Sequence, residues 1–258
     1  MSVVQIEGRC LSGLLSRVEI RAADRFALYM HHDSRPPVEI FYDLNNIRVE
    51  NHIVNVGGQH RLHVVEHLFS ALYGLNLFDL RIDVYGNEIP FFDGSSRDFV
   101  IAVNRLKNPQ PRNIRLGQPI LVRHGESHIC YTPLETDELV VEMSLTHQYI
   151  GNQRIALKIN PDSYEKEIAP SRTFVFTNEN DPRLKHIPPY GIGITGKKMH
   201  AATPLRFPDE PVRHKLLDLL GDMYVLRKNI YGKISGENTS HRLNFMFVQK
   251  LMSAMGDS

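Results

Sequence analysis

The chain has 258 residues with 30 Lys+Arg against 29 Asp+Glu, a formal net charge of +1 that is too balanced for a dedicated nucleic-acid binder. A hydrophobic share of 42% excludes a disordered chain, and no apolar stretch approaches the ~18 residues needed to span a bilayer, so no stable membrane insertion is expected. Cys10 and Cys130 are too few for a disulfide framework and no secretory leader is visible, which together predict a cytoplasmic protein.

Taken in chain order, the alternating runs at 16–21 and 27–30 predict strands. Val64, Leu68, Ala71, Leu72 and Leu75 recur at helical spacing and predict a helix over 63–75, with Gly74 marking its end. Strict alternation returns over 78–85. Residues 92–96 read as a turn from which Ser95 or Ser96 caps a helix running to about Lys107. Two prolines among polar residues at 108–113 then break the chain, predicting an N-terminal domain over 1–107 and a C-terminal domain over 112–258. Strands are predicted near 119–123, 138–145, 154–159 and 172–177, followed by an irregular Gly/Pro-rich stretch at 178–207. A helix from Val212 to about Leu226 has Pro211 suited to its first turn, and a strand near 230–235 leads to a last helix over 242–255. Both halves repeat the order strands, helix, strand, helix, which predicts a duplicated architecture without a sequence repeat.

Thirteen histidines stand out in an otherwise plain composition, and a few sit where chemistry is possible. Glu66-His67, near the start of a helix, is either a solvated polar edge or a metal ligand beside a base that reaches water. His214, Asp218 and Asp222 are successive i, i+4 neighbours opposite the apolar arc of Val212, Leu216, Leu219, Leu220 and Met223. That stripe is either an ordinary surface face or a cation grip, since His and Asp one turn apart suit zinc with an open position. His241 matters only if the other elements converge on it. Thr173 is either a β-branched strand residue or a hydroxyl that donates to a developing oxyanion. A competing pattern is the literal H-x-x-E-H of His63, Glu66 and His67, the inverzincin zinc-protease signature, with Glu142 as a conceivable distant ligand. It leaves His214 and His241 without a task.

Five segments, VVEHLFSALYGL (64–75), NEIPFFDGSSRDFV (87–100), SRTFVF (171–176), RFPDEPVRHKLLDLLGD (206–222) and SHRLN (240–244), together resemble the UDP-3-O-acyl-N-acetylglucosamine deacetylases, zinc enzymes of lipid A biosynthesis. The resemblance implies an α+β fold, a two-domain β-α-α-β sandwich of duplicated architecture with the helices facing each other and the active site between the domains. It implies His67, His214 and Asp218 as metal ligands, for Zn2+ or alternatively Fe2+, and Glu66 as the general base toward water. It implies His241 as the general acid oriented by Asp222, Thr173 and Lys215 as oxyanion or substrate contacts, and Phe174 against the sugar. His63 matches no ligand of that family. The implied reaction removes acetate from the 2-acetamido group of an acylated UDP-glucosamine, with water as co-substrate. A monomer is expected.

The sequence departs from the family pattern in several places. A motif that usually reads G-x-G-L-H-S/T-G appears as Gly8-Arg9-Cys10-Leu11-Ser12-Gly13, without its histidine. Ser240 stands where a glycine is typical, Asn238 replaces a basic residue, and 178–207 has few large aliphatics for an acyl passage. The competing readings are a zinc deacylase of another N-acylated sugar or sugar nucleotide, and a non-catalytic protein that binds a sugar nucleotide.

Overall fold

The computed structural model describes residues 3–256 apart from 33–34, 51, 107–111 and 197. The N-terminal half contains β1 (Val3–Arg9), β2 (Leu15–Ala22), β3 (Ala27–His31), β4 (Val38–Glu39), β5 (Ile47–Glu50), β6 (Ile53–Val56), β7 (Leu62–His63), α1 (Glu66–Gly74), β8 (Leu80–Tyr85) and α2 (Arg97–Val103). The C-terminal half contains β9 (Asn113–Arg115), β10 (Ile120–His124), β11 (Ser127–Thr132), β12 (Leu139–His147), β13 (Gly151–Ile159) and the single turn α3 (Pro161–Ser163). It continues with β14 (Phe174–Phe176), β15 (Ile192–Thr195), β16 (Lys198–His200), α4 (Glu210–Met223), β17 (Asn229–Glu237) and α5 (His241–Gly256).

The duplication is explicit in strand order. One sheet runs β1-β2-β8-β3-β4 and the other β10-β11-β17-β12-β13, with β9 added beside β17. In each, the last strand to arrive takes the centre, antiparallel to the second strand and parallel to the third. Alternation sets the register: in β2, Ser16, Val18 and Ile20 are buried while Arg17, Glu19 and Arg21 face outward, and a one-residue slip would invert all of them. On the inner side, α2 lies on β1, α4 on β12 and β13, and α5 on β10 and β11. Helix α1 packs on α2 and α4, so the layers run sheet, helices, helices, sheet.

The central contact is unusually close. Tyr224, just after α4, stacks on Phe69 of α1 at 5.0 Å between ring centres and donates its hydroxyl to the Leu77 carbonyl at 2.8 Å. A Cβ on Gly221 would lie 2.4 Å from the Glu66 carbonyl oxygen, so only glycine lets α4 pass this near to α1. Ser70 crosses the same seam, donating to the Leu217 carbonyl at 2.8 Å and accepting from the Tyr164 hydroxyl at 2.8 Å.

Several predicted boundaries shift. The helix expected over 63–75 begins at Glu66, and the one expected to reach Leu226 ends at Met223. The strand predicted over 172–177 is confined to Phe174–Phe176. The stretch 178–207 is not wholly irregular: β15 and β16 join β14 in a three-stranded sheet, with Ile192 and Ile194 fully buried. Ser96 flanks α2 without capping it, because its hydroxyl donates instead to the His67 carbonyl at 2.8 Å. Lys107, where that helix was expected to end, and the break at 108–111 lie outside the described residues.

Candidate active site

The site begins at a strained turn. Val64 has φ 61°, an uncommon conformation for a β-branched residue. It is held there by backbone bonds, since Val64 N–H and Val65 N–H both donate to the Val54 carbonyl and His63 N–H to that of Asn87. This turn separates β7 from α1. His63 therefore lies on a strand, with Nδ1 at 2.7 Å from Asn55 Oδ1, and does not share a helix with His67. Glu142 pairs with Lys233 at 2.8 Å. The i, i+4 geometry of an H-x-x-E-H site is absent, which removes the protease pattern.

Glu66 and His67 open α1, with both side chains buried. Opposite them, α4 presents His214, Asp218 and Asp222 on one stripe. That stripe is not a solvated face: the three residues are 2%, 3% and 1% exposed. The alternative of an ordinary surface fails because α1 and α5 cover α4. His241 is the first residue of α5 rather than a loop residue, and is itself buried.

These elements converge. His67, His214 and Asp218 each offer a ligand atom, and the three atoms lie within 4.8 Å of one another. The His214 Nδ1 faces the Ser171 carbonyl at 3.1 Å, an arrangement that holds the ring and turns Nε2 toward Asp218 Oδ1 at 3.2 Å. His67 Nδ1 is buried with no hydrogen-bond partner. Burial, then the neighbouring His214, push the His67 pKa down to about 3, so the ring is neutral, as a metal ligand must be. Burial alone would raise the Asp218 pKa, but Lys215, His214 and His241 hold it well below the usual carboxylate range. Two imidazoles and one carboxylate, buried and convergent, fit a divalent cation such as zinc with a position left open.

Two further groups flank that centre. Burial pushes the Glu66 pKa up to about 7, while His241 pulls against it. The Glu66 carboxylate accepts a bond from Val54 N–H at 3.3 Å. His241 places Nδ1 2.7 Å from Asp222 Oδ2, and its Nε2 lies 3.9 Å from Asp218 Oδ1. Burial opposes the charge of His241, but Asp222 and Asp218 outweigh it and push the pKa up to about 9. Asn244 donates to the same Asp222 oxygen at 2.7 Å, which fixes the carboxylate from the far side.

Lys215 and Phe174 lie beside the same centre, and Thr173 is held against the 92–96 turn. Lys215 Nζ is 2.9 Å from Asp218 Oδ2 and 5.5 Å from the centre of the Phe174 ring. Phe174 meets His214 edge-on at 6.2 Å. Thr173 sits just before β14, half-buried, with its N–H on the Gly94 carbonyl at 2.7 Å. A Cβ on Gly94 would meet the Tyr190 carbonyl at 2.4 Å and Thr173 Cγ2 at 2.6 Å, so the 92–96 turn clamps Thr173 from the N-terminal half.

Sequence reasoning missed several supports. Asn244 had a usable signal, since it lies three residues after His241 on the same helix and shares its face. The Ser171 carbonyl had none, because any residue type supplies one. The buried pair of Arg172 and Glu210 was also missed: Glu210 Oε1 accepts from Arg172 Nε at 2.8 Å and from its backbone N–H at 3.0 Å. Arg206 is held by Asp93 of the N-terminal half, so the approach to α4 is locked from both sides.

The profile of the UDP-3-O-acyl N-acetylglycosamine deacetylase (LpxC) family matches residues 2–253. The UDP-3-O-acyl-N-acetylglucosamine deacetylase of Syntrophotalea carbinolica is 30% identical over 80% of this chain and 70% of its own length. The enzyme of the same name from Geotalea uraniireducens is 28% identical over 94% of this chain and 83% of its own length. That of Coxiella burnetii (strain CbuK_Q154) is 30% identical over 76% and 69%, respectively. With the profile covering nearly every residue and the fold duplicated around one buried centre, the chain belongs to the UDP-3-O-acyl N-acetylglycosamine deacetylase family.

Proposed function

We propose that the chain is a metal-dependent amide hydrolase that removes acetate from the 2-acetamido group of UDP-3-O-acyl-N-acetylglucosamine. The observation that carries this reading is the meeting of three convergent ligand atoms from α1 and α4 with a buried carboxylate of α1 and a buried histidine of α5 paired to a second carboxylate. An acetamide is a poor electrophile with a poor leaving group, so its hydrolysis needs a strong nucleophile, oxyanion stabilisation and a proton for nitrogen. His67, His214 and Asp218 hold the cation, taken as zinc, which when bound lowers the pKa of water to about 7 and polarises a carbonyl.

The protein's own residues do the rest. Glu66 has a pKa near 7 and takes the proton of the attacking water. His241, cationic at neutral pH, gives its Nε2 proton to the departing amine, while Asp222 and Asn244 fix the ring. Thr173, clamped beside Gly94, donates its hydroxyl to the oxyanion. Lys215 supplies positive charge beside Asp218, and Phe174 forms an apolar wall for the sugar. A binding protein would need neither a buried base nor a buried acid.

Release of acetate from the acylated nucleotide sugar by the zinc-loaded protein tests the reaction. Faster turnover than on UDP-N-acetylglucosamine lacking the acyl chain supports this substrate, and equal turnover assigns the chain to another N-acylated sugar. Bound zinc, measured by elemental analysis, is lost in His67→Ala and His214→Ala and kept in His63→Ala. Glu66→Gln keeps the metal and loses roughly 10²–10⁴-fold in kcat. Zinc that survives His214→Ala and disappears with His63→Ala overturns the ligand set.

A further inference from the structure

The turn between β1 and β2, where the N-terminal motif departs from the family pattern, has an unusual surface. Leu11, Leu14 and Leu15 are 41%, 64% and 72% exposed, the last two adjacent at the tip of a hairpin. The tip is ordered by its own bonds. Cys10 N–H donates to the Leu14 carbonyl at 2.8 Å, Gly13 N–H to that of Cys10 at 2.9 Å, and Arg9 Nη1 to that of Gly13 at 3.0 Å. Ser12 N–H is held by Glu88 at 3.2 Å. The leucines are therefore held outward by a built turn.

We propose that Leu14 and Leu15 form a peripheral docking element that enters the interfacial layer of an anionic lipid bilayer. Three observations favour a bilayer over a protein partner. The patch ends the hairpin, since Arg9 opposite Leu15 is the last pair of the ladder, and a fluid interface accepts such a tip without a matching pocket. Residues 8–16 contain one cation, exposed Arg9, and no acidic side chain, which suits anionic headgroups. The tip also lies at the active-site end: the Arg9 carbonyl accepts from Phe91 N–H at 2.9 Å, and the Phe91 ring is 5.3 Å from that of His67. Docking by the tip turns the site toward the membrane surface. No helix among the described residues is long and apolar enough to cross a membrane, so the contact is superficial.

Co-sedimentation of the full chain with vesicles tests this without reference to catalysis. The wild-type chain sediments with phosphatidylglycerol/phosphatidylethanolamine vesicles, and less with phosphatidylcholine or at high salt. The double variant Leu14→Ser/Leu15→Ser weakens binding by about tenfold or more at unchanged melting temperature. Leu121→Ser, which alters an exposed leucine of β10 in the other half, leaves binding unchanged. Failure of the wild-type chain to bind the anionic vesicles, or equal binding by the double variant, overturns the proposal. A rise in KM in lipid-free solution with vesicle binding intact also overturns it, by assigning the tip to substrate.

Discussion

Two histidine–carboxylate pairs of similar geometry occupy different places in this molecule. His241 Nδ1 lies 2.7 Å from Asp222 between the helix layers, and His31 Nε2 lies 2.8 Å from Asp83 on the outer face of the N-terminal sheet. Distance does not distinguish them; the neighbours do. Asp83 is also bound by Arg81 at 2.8 Å and approached by Arg21 at 3.3 Å, and the His31 ring stacks on Tyr85. Burial opposes ionisation of Asp83, but the bonds from Arg81 and His31 hold its pKa below the ordinary value. Among the described residues no arginine bonds Asp222. Its partners are Asn244, which is neutral, and His241, so the compensating charge falls on the imidazole. A carboxylate already neutralised by arginine serves stability, whereas one that relies on a histidine raises the pKa of that histidine.

Breaking each pair separates these roles. Asp222→Asn should lower kcat by roughly 10–100-fold while bound zinc is retained, as expected for a group that acts through the ring it orients. It should also move the alkaline limb of the pH–rate profile down from about 9, because Asp222 raises the His241 pKa and the acid must stay protonated. In His241→Gln that limb should vanish. A limb that stays in place in both variants assigns it to another group.

Gly221→Ala tests whether the inner pair depends on the close helix approach. The added methyl meets the Glu66 carbonyl and must part α1 from α4, costing about 1–3 kcal/mol in chemical denaturation. Because Glu66 and His67 move with α1, zinc affinity should fall with stability. Unchanged affinity in a destabilised variant would show that the metal site tolerates the shift.

The smallest effect belongs to the outer pair. Asp83→Asn should cost about 1 kcal/mol at neutral pH, since the partners Arg81 and Arg21 are partly solvated and screened. A carboxylate with a depressed folded-state pKa stabilises above its unfolded value of about 3.9, and that stability is lost as pH falls through the folded one. The deficit of Asp83→Asn should therefore close in acid, and kcat/KM should not change. A deficit that persists at low pH makes the contribution one of packing.

Much of this is legible in the sequence. Period-two alternation placed β2, β3 and β8 because one face of their sheet is buried, and the repeated element order indicated the duplication, while β1 and β11 went unpredicted. The i, i+4 spacing of His214, Asp218 and Asp222 put them on one stripe, since helical geometry is local. The register of His63 was not legible. Its separation from the helix depends on Val64 entering a left-handed conformation, held by the Val54 carbonyl from another strand. The short strands β4 to β7 were missed as well, being too brief to show a period.

The sequence by itself determined the layered α+β architecture, the family and the residue types available for chemistry, because periodicity and ordered motifs are properties of the chain. Only the tertiary structure decided how the histidines of those motifs meet and which way the pKa values of His67 and His241 move. Burial and the charges around a ring set that direction, and those neighbours arrive from elements far apart in sequence: α1, α4 and α5.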